Sequence, residues 1–525
     1  MRKFLKNFLT YLEDHSWIGI VLLIVIAIIF CASALLSPFW SDNDTWSNLL
    51  PIIHYRQSIL VDHAFPNYTT LWYGGRYQWT NPLWSFLYLP ATLIWLIFPI
   101  DWGARIIFTG HLIFALIIAE RLASLFLDRK WERVSAALIL VSPMIPALIP
   151  GHVEKVMAWP WVLTSLYFLH NNKLTTTQKG LLAGTSWGIV ALTGANYYVF
   201  YMGILLVPLL ISYQNIKLFL SFVGGSFIGL LHLPSIWYLL GYARANAAES
   251  IRRGSTDLLG IVTSLSLGLS KPLSWESWAL IGLPIVLLFL GIVFKTSQDF
   301  LHKQPIDKLP QKLALFISLI VLGIFSTNLP YFATHLFDTF RVPVRAVIFV
   351  ALAVTLLVLY GYPQQITKNK TRYRTIFQVL LLASVIQVIL FSWMIRPMGS
   401  AHSPYDPNAE QLAIMLKRDG SESVWFSMQN LNDTYIEAVL TQNNLALPNA
   451  YYGDMGQKLI ITGNHCGFSF DHLIVLTPDQ SQAQIRLKSD LDWIPDPGYI
   501  SITNLLLLKQ MTLDGKEYSI YRVVC

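Results

Sequence analysis

The sequence predicts a polytopic α-helical membrane protein that ends in a small α/β domain, and three observations carry the prediction. The 525-residue chain is 54% hydrophobic and only 13% charged, with a mean hydropathy of +0.50, whereas soluble domains carry about 25% charged residues. Apolar runs of roughly 17 to 25 residues, enough to cross a bilayer, recur as far as Ile395. Beyond Ile395 the hydropathy falls, and short helix-like and strand-like patterns take over.

The predicted spans are Trp17 to Leu36, Ala104 to Leu127, Val134 to Pro150, Val156 to Leu169, Leu181 to Thr193, Tyr197 to Ile211, Leu218 to Leu240, Trp278 to Phe294, Leu313 to Asn328, Ala346 to Tyr362 and Ile376 to Ile395. A further run, Pro82 to Phe98, either spans or lies in the interface. Basic clusters decide between these readings. Arg2, Lys3 and Lys6, the segment Asp128 to Arg133, Lys173 and Lys179, Lys217, Lys295 to Lys312, and Lys368 to Arg374 fall on one side only if Pro82 to Phe98 does not fully cross. About 11 crossings then place the amino terminus in the cytoplasm of a multi-pass plasma-membrane protein. Ala32-Ser33-Ala34 resembles a signal-peptide cleavage site, but the run before it is long enough to span.

The division expected is a membrane domain over residues 1–395 and a soluble extracytoplasmic domain over 396–525. In the latter, Asp406 to Arg418 and Tyr435 to Leu440 read as helices. Ser423 to Ser427, His472 to Leu476, Tyr499 to Leu508 and Tyr518 to Val524 read as strands, the last two joined around Asp514-Gly515. Of the three cysteines, Cys31 lies in the first span, so only Cys466 and Cys525 could pair, and only if this region is exported. The net charge of +7 reads as topology and lipid-headgroup contact: no basic stripe with interleaved aromatics marks a nucleic-acid surface, and no phosphate-binding glycine pattern follows a strand.

Four segments face outward in this topology: Ser37 to Pro82, Gly151 to Lys155, Gly241 to Ser277 and Tyr331 to Arg345. The first holds Asp42 and Asp44, carboxylates placed where a membrane enzyme meets water and can keep a general base ionised. The competing reading is a solvated loop. Thr45 to Val61 reads as an interfacial amphipathic helix with His54, Arg56 and Gln57 on its polar face. Trp72 and Tyr73 lead an aromatic run around Gly74-Gly75 that either stacks on sugars or anchors the loop at headgroup depth. His152, Glu154 and Lys155 crowd the second loop and are expected to pair or to line an aqueous cavity; two such ligands fall short of a zinc site. Arg341-Val342-Pro343-Val344-Arg345 aims two guanidinium groups at headgroup depth, suited to a phosphate or to snorkelling onto anionic lipid. Arg244, Arg252, Arg253 and Lys271 add positive charge on a face where the positive-inside rule disfavours it, which points to an anionic ligand.

These features resemble the C-superfamily (GT-C) of integral-membrane glycosyltransferases. The resemblance rests on Asp42 or Asp44 in the first outer loop, Gly74-Gly75, Asn81-Pro82-Leu83 before an apolar run, Ala104-Arg105, Ser142-Pro143 and Glu154. It is nearest to the bacterial YfhO-like branch through Asp44, His54 and Pro66 and through Arg341 to Arg345. The second loop departs from the pattern, with His152-Val153-Glu154-Lys155 where many relatives have Asp, which leaves a divalent cation open as a cofactor.

The resemblance implies a GT-C-like fold of about 11 to 13 membrane helices and a transferase that moves a sugar from a polyprenyl-phosphate donor to an extracytoplasmic glycan, lipid or protein acceptor of the cell envelope. Asp44, with Asp42 in reserve and Glu154 as a second acid, would be catalytic. Arg341, Arg345, Arg244 and Lys271 would neutralise the lipid phosphate, while His54, His152, Lys155, Trp72 and Tyr73 would complete the substrate site. The rival readings are a flippase for lipid-linked sugars, which would use the same basic mouth without chemistry, and a non-catalytic envelope scaffold. No internal repeat of the kind common in transporters is evident.

Overall fold

The computed structural model describes residues 16–30, 52–53, 55–61, 63–65, 68–69, 76–77, 85–148, 152–232, 256–268, 279–303, 306, 308–327, 343–368, 372–400, 407–422, 424–426, 436, 439–440, 443, 445, 472–476, 505–513 and 516–523. The helices are α1 (Ser16–Phe30), α2 (Leu89–Ile97), α3 (Ile100–Ala123), α4 (Lys130–Val141), α5 (Val153–His170), α6 (Thr176–Leu192), α7 (Asn196–Ser212), α8 (Ile216–Ser226), α9 (Leu258–Leu267), α10 (Leu283–Leu301), α11 (Leu309–Phe325), α12 (Val347–Lys368), α13 (Arg372–Ser400) and α14 (Pro407–Arg418). A 3-10 turn, Ser142–Leu148, ends α4, another, Phe227–His232, extends α8, and a third, Pro343–Ala346, leads into α12.

Burial sorts these helices into a centre and a rim. Every residue from Ala346 to Tyr362 on α12 is buried, as is nearly all of α5, where only Trp161, Tyr167 and Phe168 are partly exposed. A helix apolar on all sides belongs in the middle of a bundle. The rim helices carry exposed apolar stripes instead: Leu283, Leu287, Leu290 and Phe294 on α10, and Ile376, Val379, Leu382 and Ile386 on α13. Such stripes would be costly in water and are at home against lipid. Among the described residues, Trp102–Ala123, Leu283–Leu301 and Arg374–Ser392 are long and apolar enough to cross a membrane, and six shorter apolar helices accompany them. The chain is thus a polytopic helical membrane fold.

Local chemistry explains the joints. Thr175 and Gln178 form a reciprocal capping box at the start of α6, with the Thr175 N–H donating to Gln178 Oε1 at 3.0 Å. Helices α6 and α8 then pack backbone to backbone through Gly180, Gly184, Gly188 and Gly225; a Cβ on Gly180 would lie 2.6 Å from the Leu218 carbonyl. Two buried polar networks tie distant helices together. Trp161 Nε1–H donates to Tyr88 Oη (2.9 Å), Tyr88 Oη–H to His111 Nε2 (2.7 Å), and His111 Nδ1–H to the Ile107 carbonyl (2.7 Å), so every member is satisfied. The fully buried Glu132 carboxylate on α4 accepts from Tyr362 Oη of α12 (3.0 Å) and Gln378 Nε2 of α13 (2.7 Å).

Several sequence expectations change, though not the reading that Pro82 to Phe98 falls short of a full crossing: among its described residues it forms the nine-residue α2, about 13 Å long and under half a hydrocarbon core. Its last carbonyls, Trp95 and Phe98, accept from the Arg56 guanidinium, so Arg56 caps a neighbouring helix where the amphipathic pattern had it facing water. The segment Gly241 to Ser277 contains an unforeseen helix, α9, N-capped by Asp257, whose carboxylate accepts from the Gly260 N–H at 2.6 Å, and closed by Gly268 at φ 77°.

After α14 comes a four-stranded sheet of order β3-β4-β6-β5, where β3 is Val424–Phe426, β4 His472–Leu476, β5 Leu505–Leu513 and β6 Lys516–Val523. Strands β3 and β4 are parallel, while β4/β6 and β5/β6 are antiparallel, with an irregularity between Leu507 and Lys509. The strand expected at Tyr499 to Leu508 therefore lies further along the chain. Upstream, two short strands, β1 (Tyr68–Thr69) and β2 (Arg76–Tyr77), pair antiparallel.

Candidate active site

One end of the bundle gathers four of the residues singled out from the sequence. His152 stands at the N-cap of α5 but does not cap it; its imidazole Nδ1 lies 2.7 Å from Oε1 of Glu154, the second residue of the helix. Both side chains are about nine-tenths buried, and Lys155 beside them is buried too. Burial alone would raise the Glu154 carboxyl. The His152 imidazole, through charge and hydrogen bond, together with the Lys155 ammonium, reverses that and brings it from 4.5 to about 2. The amino-terminal end of α5 favours the same ionised state. Glu154 is therefore a fixed negative charge at any physiological pH.

Arg345 arrives from the 3-10 turn that opens α12, its guanidinium 4.7 Å above the Tyr197 ring. The adjacent Tyr198, in the first turn of α7, joins the two charged clusters, since both Glu154 and Arg345 act on its hydroxyl electrostatically. That hydroxyl is buried and has no hydrogen-bond partner among the described residues. Beneath it, Trp159, Tyr198 and Phe349 form a ring cluster with centroid separations of 5.9, 5.8 and 5.1 Å, which fixes α5, α7 and α12 against one another. A carboxylate, a guanidinium and a phenol with no hydrogen-bond partner among the described residues thus lie within electrostatic reach where three helices meet.

Sequence reasoning anticipated the pairing of His152 with Glu154 and placed Arg345 on the same face, but missed Tyr197 and Tyr198. The available signal was Gly194 followed by Asn196-Tyr197-Tyr198: Gly194 turns at φ 83°, which starts α7 with its tyrosines at the helix mouth. Asp42, Asp44, His54, Trp72, Tyr73, Arg244, Lys271 and Arg341 lie outside the described residues. Among the described residues no three His, Cys, Asp or Glu side chains converge as a metal site; His152 and Glu154 supply two donors on one turn and already bond each other.

No protein-family model and no curated protein matches the sequence. Solved structures do match. The oligosaccharyltransferase of Archaeoglobus fulgidus in its apo form superposes with a TM-score of 0.51 at 14% identity, over 87% of this chain and 69% of that one. Oligosaccharyltransferase AglB of the same archaeon, in complex with an inhibitory peptide and a dolichol-phosphate, superposes with a TM-score of 0.51 at 12% identity, over 92% of this chain and 72% of that one. At such identities the likeness establishes architecture: this chain has a GT-C-like membrane fold similar to that of an archaeal oligosaccharyltransferase.

Proposed function

We propose that this protein is a membrane glycosyltransferase that moves a sugar from a polyprenyl-phosphate donor to an extracytoplasmic glycan, lipid or protein acceptor, and that it belongs to the YfhO-like branch of the GT-C enzymes. The observation that carries the reading is the convergence of Glu154 and Arg345 on Tyr198, in a fold shared with an oligosaccharyltransferase. The acceptor oxygen attacks the anomeric carbon and its proton passes to a carboxylate. The bond from that carbon to the lipid phosphate breaks, and its electron pair leaves on the phosphate oxygen with inversion at the sugar. Arg345 suits the departing phosphate, with Arg341, Arg244 and Lys271 as its partners.

In this reading the acids divide the labour. A carboxyl held near 2 is a weak proton acceptor, because a general base works best with a pKa near the operating pH. Glu154 accordingly serves as a fixed charge that orients His152 and Lys155, and the base is Asp44, with Asp42 in reserve. We further propose that the first outer loop, the Glu154 mouth and the domain over residues 396–525 share the extracytoplasmic side. A divalent cation would draw on His152 and Glu154 together with the acids of the first loop.

The test is transfer of a labelled sugar from its polyprenyl phosphate by the purified protein in liposomes. Arg345→Lys keeps the charge but loses the planar fork and its stacking on Tyr197, so transfer should fall about tenfold or more. Unchanged transfer by Arg345→Lys would assign Arg345 to lipid snorkelling.

A further inference from the structure

The opposite end of α5 holds a second cluster that the proposed chemistry does not use. His170, the last residue of α5, is buried, and its Nδ1–H donates to the Leu166 carbonyl at 2.7 Å. That bond fixes the tautomer, so Nε2 carries a bare lone pair, and it is buried with no hydrogen-bond partner among the described residues. A buried acceptor left unmatched is a standing cost to the fold and asks for a donor from outside.

The surroundings define what that donor belongs to. The imidazole packs against Phe126 (5.7 Å between centroids), just past α3, Tyr360 (5.5 Å), within α12, and Tyr213 (6.4 Å), at the C-cap of α7. The Lys308 ammonium lies over two of those same rings, 5.9 Å from Phe126 and 5.5 Å from Tyr360. Lys308 holds a left-handed backbone (φ 52°) at the start of α11, a conformation that lysine seldom adopts. It is exposed, and no carboxylate neutralises it among the described residues. Lys179 on α6, hydrogen-bonded to Asn172 Oδ1 at 3.0 Å, also acts on His170 electrostatically. Two ammonium groups with no acid partner among the described residues therefore act on an imidazole acceptor set in an aromatic wall, Lys308 from over the Phe126 and Tyr360 rings that flank it.

We propose that this end of the bundle binds a phosphate with an adjoining hydroxyl, the chemistry of a hydroxylated anionic phospholipid headgroup. Lys308 and Lys179 take the phosphate oxygens and the hydroxyl donates to His170 Nε2. A neutral His170 suits that role: burial foremost, then the two lysines, lower it to about 4, so it accepts rather than donates at physiological pH. The site stands apart from the transfer chemistry, at the far end of an 18-residue helix, about 27 Å long.

The experiment uses the full-length protein in detergent micelles doped with phosphatidylglycerol or phosphatidylcholine, read by native mass spectrometry and by Tm. Wild type should retain phosphatidylglycerol in preference to phosphatidylcholine and gain Tm from it. Lys308→Gln combined with Lys179→Gln should cut retention about tenfold, whereas Lys173→Gln, an exposed lysine of the same loop region, should not. Glycerol 3-phosphate in a parallel titration identifies the source: a Tm gain that needs Lys308 and Lys179 but no lipid would assign the site to a soluble phosphate ester. Equal retention of the two lipids, or an equal loss in Lys173→Gln, would overturn the proposal. His170→Phe, which removes the acceptor, should also cut phosphatidylglycerol retention, and if it fails to fold the lysine variants, which lie outside the packed core, still decide the test.

Discussion

Replacing Glu154 by Gln tests whether the site is held by charge or only by shape. The amide keeps the volume of the carboxylate and can still accept from His152 Nδ1, so the change removes the charge and little else. In the wild type the carboxyl sits near 2 instead of 4.5; at about 1.4 kcal/mol per pH unit this favours the ionised folded state by roughly 3 kcal/mol. Because the folded value is depressed, the contribution is complete above pH 4.5 and fades as pH falls toward 2. The variant should therefore be less stable at pH 7 by about 1 to 3 kcal/mol, and the gap should close between pH 4.5 and pH 2. Denaturant titrations of both proteins in the same detergent, from pH 7 downward, measure it. A His152→Gln, Glu154→Gln cycle should give a coupling of about 1 kcal/mol or more. A gap independent of pH, or none at all, would show that the pair is not coupled as the 2.7 Å contact implies.

A separate acid limb should come from His170. Its value is lowered from 6.5 to about 4, so the neutral imidazole contributes fully above pH 6.5 and destabilises progressively as pH falls to 4, by roughly 3 kcal/mol at most; His170→Asn should flatten that limb, and persistence of the limb would assign it elsewhere. For topology, single cysteines at Gly75 and Gly420 should both react with an impermeant reagent in intact cells, and protection of either would break the proposed shared side.

Long apolar runs made the helical architecture legible, because a bilayer sets a length that sequence displays directly. The length criterion itself hid α9: ten residues are too few for a span, and its caps together with packing of Ile261 and Leu265 into the core hold that helix in place. The β5 strand moved because hairpin pairing with β6 carries it on through Lys509-Gln510-Met511-Thr512 to Leu513, residues whose polarity disguised the strand. In the site, His152 and Glu154 were visible as neighbours in sequence. Tyr198 was not, since its hydroxyl acquires meaning only when α5, α7 and the turn before α12 bring Glu154 and Arg345 within electrostatic reach of it. His170 was equally silent: an imidazole at a helix end gives no hint that its second nitrogen is sealed in without a partner.

The central claim, that a first-loop carboxylate drives sugar transfer, is tested most directly by single-turnover transfer from a polyprenyl-phosphate sugar in liposomes, with wild type beside Asp44→Asn and Asp42→Asn. Asn preserves the hydrogen bonding of an N-cap and so costs little stability, while loss of a general base slows the chemical step by about 100-fold or more. We predict that Asp44→Asn folds normally and loses transfer by that factor. Normal turnover by both variants would contradict a carboxylate mechanism and leave this fold carrying lipid-linked sugars without reacting them.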